Sequence, residues 1–222
     1  MNPTLRAALL GGLFLGACAL LAAALLTGTE RLTRDRIAAA RLQAERDALA
    51  MVLPADGYDN DPLQDRIEVL APAWLGSRQP LQLWRLRRGG APVALALQAV
   101  APDGYAGPIQ LLVGIDAGGR VTGVRVVEHR ETPGLGDLIE ADRSAWIDRF
   151  RGSGIGAPPL SRWRVRRDGG DFDQFAGATI TPRAVVQAVR RALQYVDAHG
   201  KELYAAPADG VLRHDDAPAE QR

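Results

Sequence analysis

A threonine at the predicted start of a helix is the residue in this chain that most directly suggests chemistry. Residues 173–179 read Asp-Gln-Phe-Ala-Gly-Ala-Thr, so three small residues precede the hydroxyl of Thr179. Apolar residues then recur at helical spacing from Pro182 to His199, which predicts an amphipathic helix. Thr179 would lie just outside the helix N-terminus, where unpaired N–H groups and the helix dipole favour an anion such as phosphate. Gly177 and its flanking alanines would let a bulky group approach the backbone.

The ends of this helix have recognisable signals. Thr181 is suited to the N-cap, Pro182 to the first helical position, and Gly200 to the end of the helix. Most threonines in a Gly-Ala-Thr sequence before a helix merely cap it. The local sequence therefore leaves two interpretations of Thr179 open, a phosphate site and a simple cap.

A second loop runs into a helical pattern and carries polar residues suited to a heterocycle. Glu131 and Thr132 can form hydrogen bonds, and the Pro-Gly-Leu-Gly run that follows, with Gly134 and Leu135 at its centre, predicts a tight turn whose N–H groups could face a ligand. His129 could shuttle protons, but a lone histidine near a strand end is more often structural. No second histidine lies nearby in the sequence to suggest a metal site, and no Ser-His-acid order is evident. We expect no catalytic residue and no metal.

An antiparallel sheet is expected to position these two loops. Four alternating runs predict strands, and a Gly-containing hairpin turn at residues 116–119 joins the last two. A loop rich in Gly and Pro at residues 101–108 contains Tyr105, which could pack on a planar ligand or cover the edge of the core. The four runs are Leu81 to Leu86, Val93 to Leu97, Ile109 to Ile115 and Val121 to Val127.

Three polar segments have less specific interpretations. Residues 162–166 alternate arginine with Trp163 and Val165, which predicts a strand whose charged face could meet an acidic partner or a phosphate, or could guard a sheet edge. The acidic residues of segment 56–65 lack the spacing of a calcium loop, so a solvated loop is expected. The tail after Tyr204 is poor in apolar residues and is predicted to be disordered.

The N-terminal region predicts a membrane anchor. No charged residue occurs between Arg6 and Glu30, and this length can cross a hydrocarbon core of about 30 Å as a helix. A cleaved signal peptide normally has a shorter apolar region, and a lipoprotein cleavage site ending at Cys18 is opposed by the strong hydrophobicity that continues to Leu26. Arginines on both sides of the span leave its orientation open. Cys18 is the only cysteine, which excludes an intramolecular disulfide.

The composition fits an anchored domain. The chain has 222 residues, is 47% hydrophobic and has a formal net charge of +1, so no overall field favours nucleic acid. We predict an anchor at residues 1–29, a helical stalk and connection at 30–65, a folded domain at 66–204 and a disordered tail at 205–222. The fold class is α+β, with one transmembrane helix, an antiparallel sheet and packed helices.

Several of these segments together resemble a known family. Four segments occur in the order seen in the RnfG subunits of Rnf/Rsx electron-transport complexes: residues 101–105, 109–114, 131–137 and 177–179. The related C subunit of the sodium-translocating NADH:quinone reductase has a similar FMN-binding domain and is the second family that the chain resembles. Residues 173–179 resemble the flavinylation motif Asp-x-x-Ser/Thr-Gly-Ala-Thr/Ser of periplasmic FMN-binding domains. Ala176 stands where the family usually has Ser or Thr.

The resemblance implies an FMN-binding domain with FMN attached to Thr179 through a phosphoester bond made by a flavin transferase. It implies that Asp173, Gly177, Ala178 and Thr181 belong to the attachment region. The loop with Glu131, Thr132, Gly134 and Leu135 would lie by the flavin ring.

The same resemblance implies a biological setting. The chain would be a single-pass component of a bacterial inner-membrane complex, with its soluble domain on the periplasmic side and other membrane subunits as partners. That complex transfers electrons between ferredoxin and NAD, coupled to ion transport or to reduction of a redox sensor, and this chain would have no independent turnover. A non-redox exported binding or assembly module is the alternative.

Overall fold

The computed structural model describes residues 3–218, except for the side chains of residues 4–9. It divides into two compact units, Met1–Asp47 and Ala48–Arg222. Helix α1, Pro3–Val52, begins in the first unit, and its last residues belong to the second.

Helix α1 contains the apolar N-terminal run. Within residues 3–218 it is the one helix that is long and apolar enough to cross a membrane, and large side chains such as Leu13 and Leu20 are 74% exposed in the isolated chain. The helix continues without interruption through the Ala-, Arg- and Glu-rich residues that follow Glu30, as the sequence predicts, and ends two residues before Pro54. The boundary between anchor and stalk inside this helix stays a prediction.

A six-stranded sheet forms the centre of the second unit. The strands are β1 (Arg66–Leu70), β2 (Leu81–Arg88), β3 (Ala91–Ala101), β4 (Ile109–Asp116), β5 (Val121–Glu128) and β6 (Val211–Arg213). Their order in the sheet is β5-β4-β3-β2-β1-β6, and all neighbours are antiparallel except β1 and β6, which are parallel. The four predicted strands are confirmed as β2 to β5, and with the helices they confirm the α+β class.

The C-terminal segment corrects one prediction. The sequence predicts disorder for residues 205–222, but Val211–Arg213 pair with β1, and the His214 amide donates to the Leu70 carbonyl at 2.9 Å. A three-residue strand at a sheet edge is held mainly by backbone hydrogen bonds. The side chains of residues 211–213 therefore give little indication of a strand.

One face of the sheet is covered by helix α3, Ile180–Ala205. Its buried side chains, including Val185, Val189 and Leu193, pack against apolar residues of β3 and β4. A four-residue helix α2, Pro72–Leu75, adds Trp74 to the same core. The amphipathic helix predicted from the sequence is confirmed, although its two ends differ from the prediction.

The other face of the sheet receives the last turn of α1. Gly114 of β4 and Gly123 of β5 lie opposite each other in the antiparallel register. A Cβ atom at Gly114 would be 2.2 Å from the Val52 carbonyl oxygen, and one at Gly123 would be 2.9 Å from the Val52 Cα. The pair of glycines therefore creates the space in which the helix end packs, and Leu49, Val52 and Leu53 are buried there.

Helix α3 passes through Gly200 instead of ending there. Beyond it, two strand residues bind the terminal carbonyls: Arg85 donates to Leu203 at 2.9 Å and to Ala206 at 2.6 Å, and Arg87 donates to Tyr204 at 2.7 Å. The carboxylate of Asp65 accepts hydrogen bonds from both guanidinium groups. These long-range partners satisfy the helix end, so the glycine is not needed as a stop.

Residues 162–166 are not a strand, which corrects a second prediction. Arg162 ends a short 3-10 helix, Leu160–Arg162, and Arg166 begins another, Arg166–Asp168; between them, Val165 makes a single bridge to Phe172. Trp163 and Val165 are fully buried, so the alternation marks buried and exposed sides without a sheet partner. Further 3-10 helices occupy Gly136–Ile139 and Ala145–Phe150, where the sequence predicts helical structure.

Candidate functional site

A cavity of about 330 Å³ opens where α3 begins. It collects residues from three loops that are distant in the sequence. The wall is formed by Tyr105, Glu131, Thr132, Leu135, Gly136, Gly177, Ala178, Thr179, Ile180 and Thr181.

Glu131 ties the three loops together. It is only 5% exposed, its Oε1 accepts a hydrogen bond from the Ala106 amide at 3.0 Å, and its Oε2 accepts one from the Thr181 hydroxyl. Thr181 is therefore not the N-cap predicted from the sequence: it lies inside the first turn of α3. A buried carboxylate is a stronger acceptor for this hydroxyl than a partner within the helix, because hydrogen bonds to charged groups are stronger.

A glycine makes this close packing possible. A Cβ atom at Gly136 would be 2.8 Å from both Cβ and Oε2 of Glu131 and 3.1 Å from Oγ1 of Thr181. Any side chain at this position would push the carboxylate away from the helix. The glycine that closes the second loop thus has a packing role at the cavity wall.

Thr179 occupies the N-cap position of α3, but its side chain makes no capping hydrogen bond. It is half-buried and faces the cavity. The amides of Ile180 and Thr181 lie in the first turn and have no acceptor within the helix, and Pro182 has no N–H. The site thus combines a hydroxyl without a capping partner and the positive end of a 26-residue helix.

Gly177 keeps the approach to Thr179 open. Its φ of +79° is a left-handed conformation that favours glycine, and a Cβ atom there would lie 3.7 Å from Cδ2 of Leu135. A side chain at Gly177 would therefore enter the space between the two loops.

An aromatic cluster supports the segment that leads to Thr179. Phe172 stacks on Phe150 with ring centroids 4.8 Å apart, and Phe175 meets Trp146 edge-on at 5.2 Å. Trp146 Nε1 also donates to the Asp173 carbonyl at 2.8 Å. These contacts hold residues 172–175 beside the core while the small residues that follow remain accessible.

Asp173 itself is outside the cavity wall. Its carboxylate pairs with Arg149 at 3.1 Å and with Arg166 at 2.9 Å. Of the arginines that the sequence suggested for an acidic partner or a phosphate, Arg162 is similarly paired with Asp171. The pairs Arg166–Asp173 and Arg162–Asp171 each join residues close in sequence, and the two aspartates offset much of the positive charge that these arginines could offer to a ligand.

His129 has a structural position. Its Nδ1 accepts a hydrogen bond from the Glu131 amide at 3.0 Å, and its Nε2 lies 2.5 Å from Glu140. Because Nδ1 is an acceptor, the proton is on Nε2 and points to Glu140. The histidine thus orients the start of the loop that carries Glu131.

The structure brings most of the predicted site residues together. Glu131, Thr132 and Leu135 meet the Thr179 region at one cavity, whereas Gly134 lies in the turn without lining it. Gly136, the last residue of the predicted Pro-Gly-Leu-Gly turn, also lines the cavity. Ile180 lines it too, although the sequence does not mark it as a site residue, and its position next to Thr179 is the available signal.

Comparison with known proteins identifies the family. The family model of the FMN-binding domain matches residues 104–194 of the sequence, and the family model of the RnfG N-terminal region matches residues 1–52. The chain is 49% identical over 202 residues to the G subunit of the ion-translocating oxidoreductase complex of Pseudomonas aeruginosa PAO1, which covers 91% of this chain and 94% of that protein. It is 50% identical over 192 residues to the corresponding G subunit of Cronobacter sakazakii, with 85% and 91% covered. The chain belongs to the RnfG family.

Membership of the RnfG family, with the apolar helix and the FMN-binding domain, makes the chain a membrane-anchored electron-transfer subunit. The cavity residues are compatible with FMN. The helix N-terminus offers amides to a phosphate, and Leu135 and Tyr105 offer exposed apolar and aromatic surface to a planar ring. The cavity volume is within the usual range for small-molecule sites, about 300–1,000 Å³.

Proposed function

We propose that FMN is attached to Thr179 by a phosphoester bond and that the chain carries electrons as part of a membrane-bound oxidoreductase complex. The observation that supports the attachment most directly is the hydroxyl of Thr179, which faces the cavity without a capping hydrogen bond. A hydroxyl committed to the helix cap would have to lose that bond on modification. Here no such cost is incurred.

Attachment requires an activated donor, because a phosphate monoester does not condense with an alcohol in water. We propose that a flavin transferase uses a pyrophosphate-linked flavin nucleotide. The bond between Thr179 Oγ and the flavin phosphorus forms, the pyrophosphate bond breaks, a nucleoside monophosphate leaves, and the hydroxyl proton passes to a base of the transferase. Asp173 is half-buried and lies six residues before Thr179, where it can be part of the segment that the transferase recognises.

The cavity residues position and shield the cofactor. The amides of Ile180 and Thr181 can bind the phosphate, and Gly177 and Ala178 allow it to approach the backbone. The loop with Glu131, Thr132, Gly134 and Leu135 borders the ring, and its conformation depends on the hydrogen bond between Glu131 and Thr181. Bound FMN supplies the redox chemistry, while the protein supplies placement and electrostatics.

The complex that we propose transfers electrons between ferredoxin and NAD, coupled to ion translocation or to reduction of a redox sensor. In this proposal the soluble domain is on the periplasmic side of the inner membrane and contacts other membrane subunits. The chain has no turnover of its own, because a tethered carrier only receives and passes on electrons.

Mass spectrometry tests the attachment. Full-length protein co-expressed with a flavin transferase should gain the mass of one FMN less one water and should fluoresce after denaturing electrophoresis. Thr179→Ala should lose the adduct completely and Thr179→Ser should retain it. The control Ser161→Ala removes an exposed hydroxyl outside the cavity wall and should be modified like the natural chain. Ala176→Ser restores the residue type usual in the family and should be modified at least as fast.

Other outcomes of the same experiment would redirect the proposal. An unchanged adduct in Thr179→Ala would move the attachment site. Colourless natural protein in the presence of active transferase and its membrane partners would instead favour a non-redox binding or assembly module.

A further inference from the structure

Two of the three histidines of the chain meet far from the cavity. His199 lies on α3, and His214 follows β6; their ring centroids are 4.0 Å apart. With Glu202 they form a group whose ligand atoms all lie within 4.8 Å of one another. The histidine side chains are only 15% and 9% exposed. At 1.5 Å per residue, His199 is about 29 Å along the helix from Ile180, so this group is separate from the FMN site.

One nitrogen atom of this group makes no hydrogen bond. Nε2 of His199 is buried and has no hydrogen-bond partner within residues 3–218, although a carboxylate oxygen of Asp216 is 3.3 Å away. Nε2 of His214 lies 3.1 Å from Glu202. A buried polar atom without a partner needs an explanation, and a bound cation is one of the recognised explanations.

Neighbouring side chains orient the candidate ligands. The hydroxyl of Tyr195 is 2.7 Å from Nδ1 of His214, and Trp74 Nε1 donates to one carboxylate oxygen of Asp216 at 3.2 Å. Metal-binding histidines and carboxylates commonly have such outer partners, which leave one donor atom directed at the ion.

We propose that His199, Glu202 and His214 bind a divalent transition-metal cation such as Zn²⁺, with Asp216 available as a fourth ligand. Two imidazoles and a carboxylate are a donor set that Zn²⁺ accepts, and two carboxylates would balance its charge. His199 and Glu202 are three residues apart on α3, which places them on one helix face. Tetrahedral bonds of about 2.0–2.1 Å bring donors about 3.3 Å apart, so small side-chain rotations suffice to close the site.

Metal binding would join the C-terminal segment to the end of α3. His214 and Asp216 follow the three-residue edge strand β6, whereas His199 and Glu202 belong to the longest helix of the second unit. The cation would thus cross-link a short edge strand to the helix that covers the sheet. Its role is structural, and it is independent of flavin.

The test is titration of the full-length protein, purified in detergent and stripped with a chelator, with Zn²⁺ by isothermal calorimetry. We expect one equivalent to bind and the melting temperature to rise by about 5 °C or more at Zn²⁺ concentrations near 100 Kd. The double variant His199→Gln, His214→Gln should lose at least about 100-fold in affinity, since it removes both nitrogen ligands. Glu202→Gln, at an exposed side chain, should weaken binding about tenfold without affecting folding.

The third histidine provides the matched control. His129→Gln should bind Zn²⁺ like the natural chain, because His129 pairs with Glu140 and is outside the proposed site. The absence of stoichiometric binding would overturn the proposal and leave a hydrogen-bonded cluster only. Equal binding by the double histidine variant, shown to be folded by circular dichroism, would overturn it as well.

Discussion

At its N-terminus, helix α3 is preceded by small residues and by a threonine that makes no capping hydrogen bond, and its first amides lie at a cavity. At its C-terminus, the same helix ends against two arginines that bind its last carbonyls and are themselves paired with Asp65. Gly177, just before the N-terminus of α3, is exposed, whereas Arg85, which binds the C-terminal carbonyls, is 1% exposed.

The two ends of α3 therefore differ in their expected contributions: the N-terminal end to cofactor binding and the C-terminal end to folding stability. Every helix leaves unpaired N–H groups at one end and unpaired carbonyls at the other. In this protein the carbonyl end is bound by buried long-range partners. At the N–H end, the Thr179 side chain makes no capping hydrogen bond, and we propose that the first amides bind the FMN phosphate. We therefore expect substitutions at the C-terminal end to affect folding most, and substitutions at Thr179 to affect modification with little effect on folding.

Arg85→Ala should have the largest effect on stability. It removes a buried charge that binds Asp65 and two helix carbonyls, and breaking a buried pair from one side typically costs about 3–5 kcal/mol. We expect a loss of about 3 kcal/mol, because Arg87 still pairs with Asp65. Urea unfolding of the full-length protein in detergent measures it. The control Arg88→Ala, at the exposed end of the same strand, should change stability by less than about 0.5 kcal/mol; similar losses in both variants would contradict a special role of the buried end.

Thr181→Val should have an intermediate effect at the cavity end. The substitution keeps the shape of the side chain but leaves the buried carboxylate of Glu131 without one hydrogen bond, which costs about 1–3 kcal/mol. We expect a loss of about 2 kcal/mol in the same urea experiment. Thr132→Val, whose side chain is exposed, is the control and should be nearly neutral. If both valine variants are equally stable, the bond between Glu131 and Thr181 does not hold the loops together.

Gly200→Ala should have the smallest effect, and its sign is opposite. Gly200 lies inside α3, and a Cβ atom there would meet no atom of the described part of the chain within 4 Å. Replacing a glycine inside a helix should stabilise the protein by about 0.5–1 kcal/mol. The matching glycine at the other end, Gly177, has a φ of +79°, so Gly177→Ala should destabilise instead. Destabilisation by Gly200→Ala would mean that the helix ends at the glycine, as the sequence alone suggests.

Much of the sheet and of the cavity was accessible from local sequence. The four alternating runs became β2 to β5, because in each of them alternation and turn residues agree. The segment ending in Thr179 was recognisable because small residues, a hydroxyl and a helical period follow one another within a few positions. The Glu131 loop was identified for the same reason.

Other features depend on residues that are far apart in the chain. No local pattern assigns the hydroxyl of Thr181 to Glu131, 50 residues earlier, or the guanidinium of Arg85 to carbonyls 118 and 121 residues later. The predicted strand at residues 162–166 failed similarly: alternation marks two sides of a segment but does not supply a neighbouring strand.

By itself, the sequence determined the apolar helix, the central strands, the amphipathic α3 and the small residues before Thr179, since periodicity and turn chemistry act over a few neighbouring positions. Only the tertiary structure decided that three loops share one cavity, that α3 continues to Ala205, that residues 211–213 join the sheet, and that His199 lies against His214. The physical reason is that these features arise from packing and hydrogen bonds between distant segments. Which distant residues come into contact depends on the fold of the whole chain, and the sequence next to any one of them does not reveal its partner.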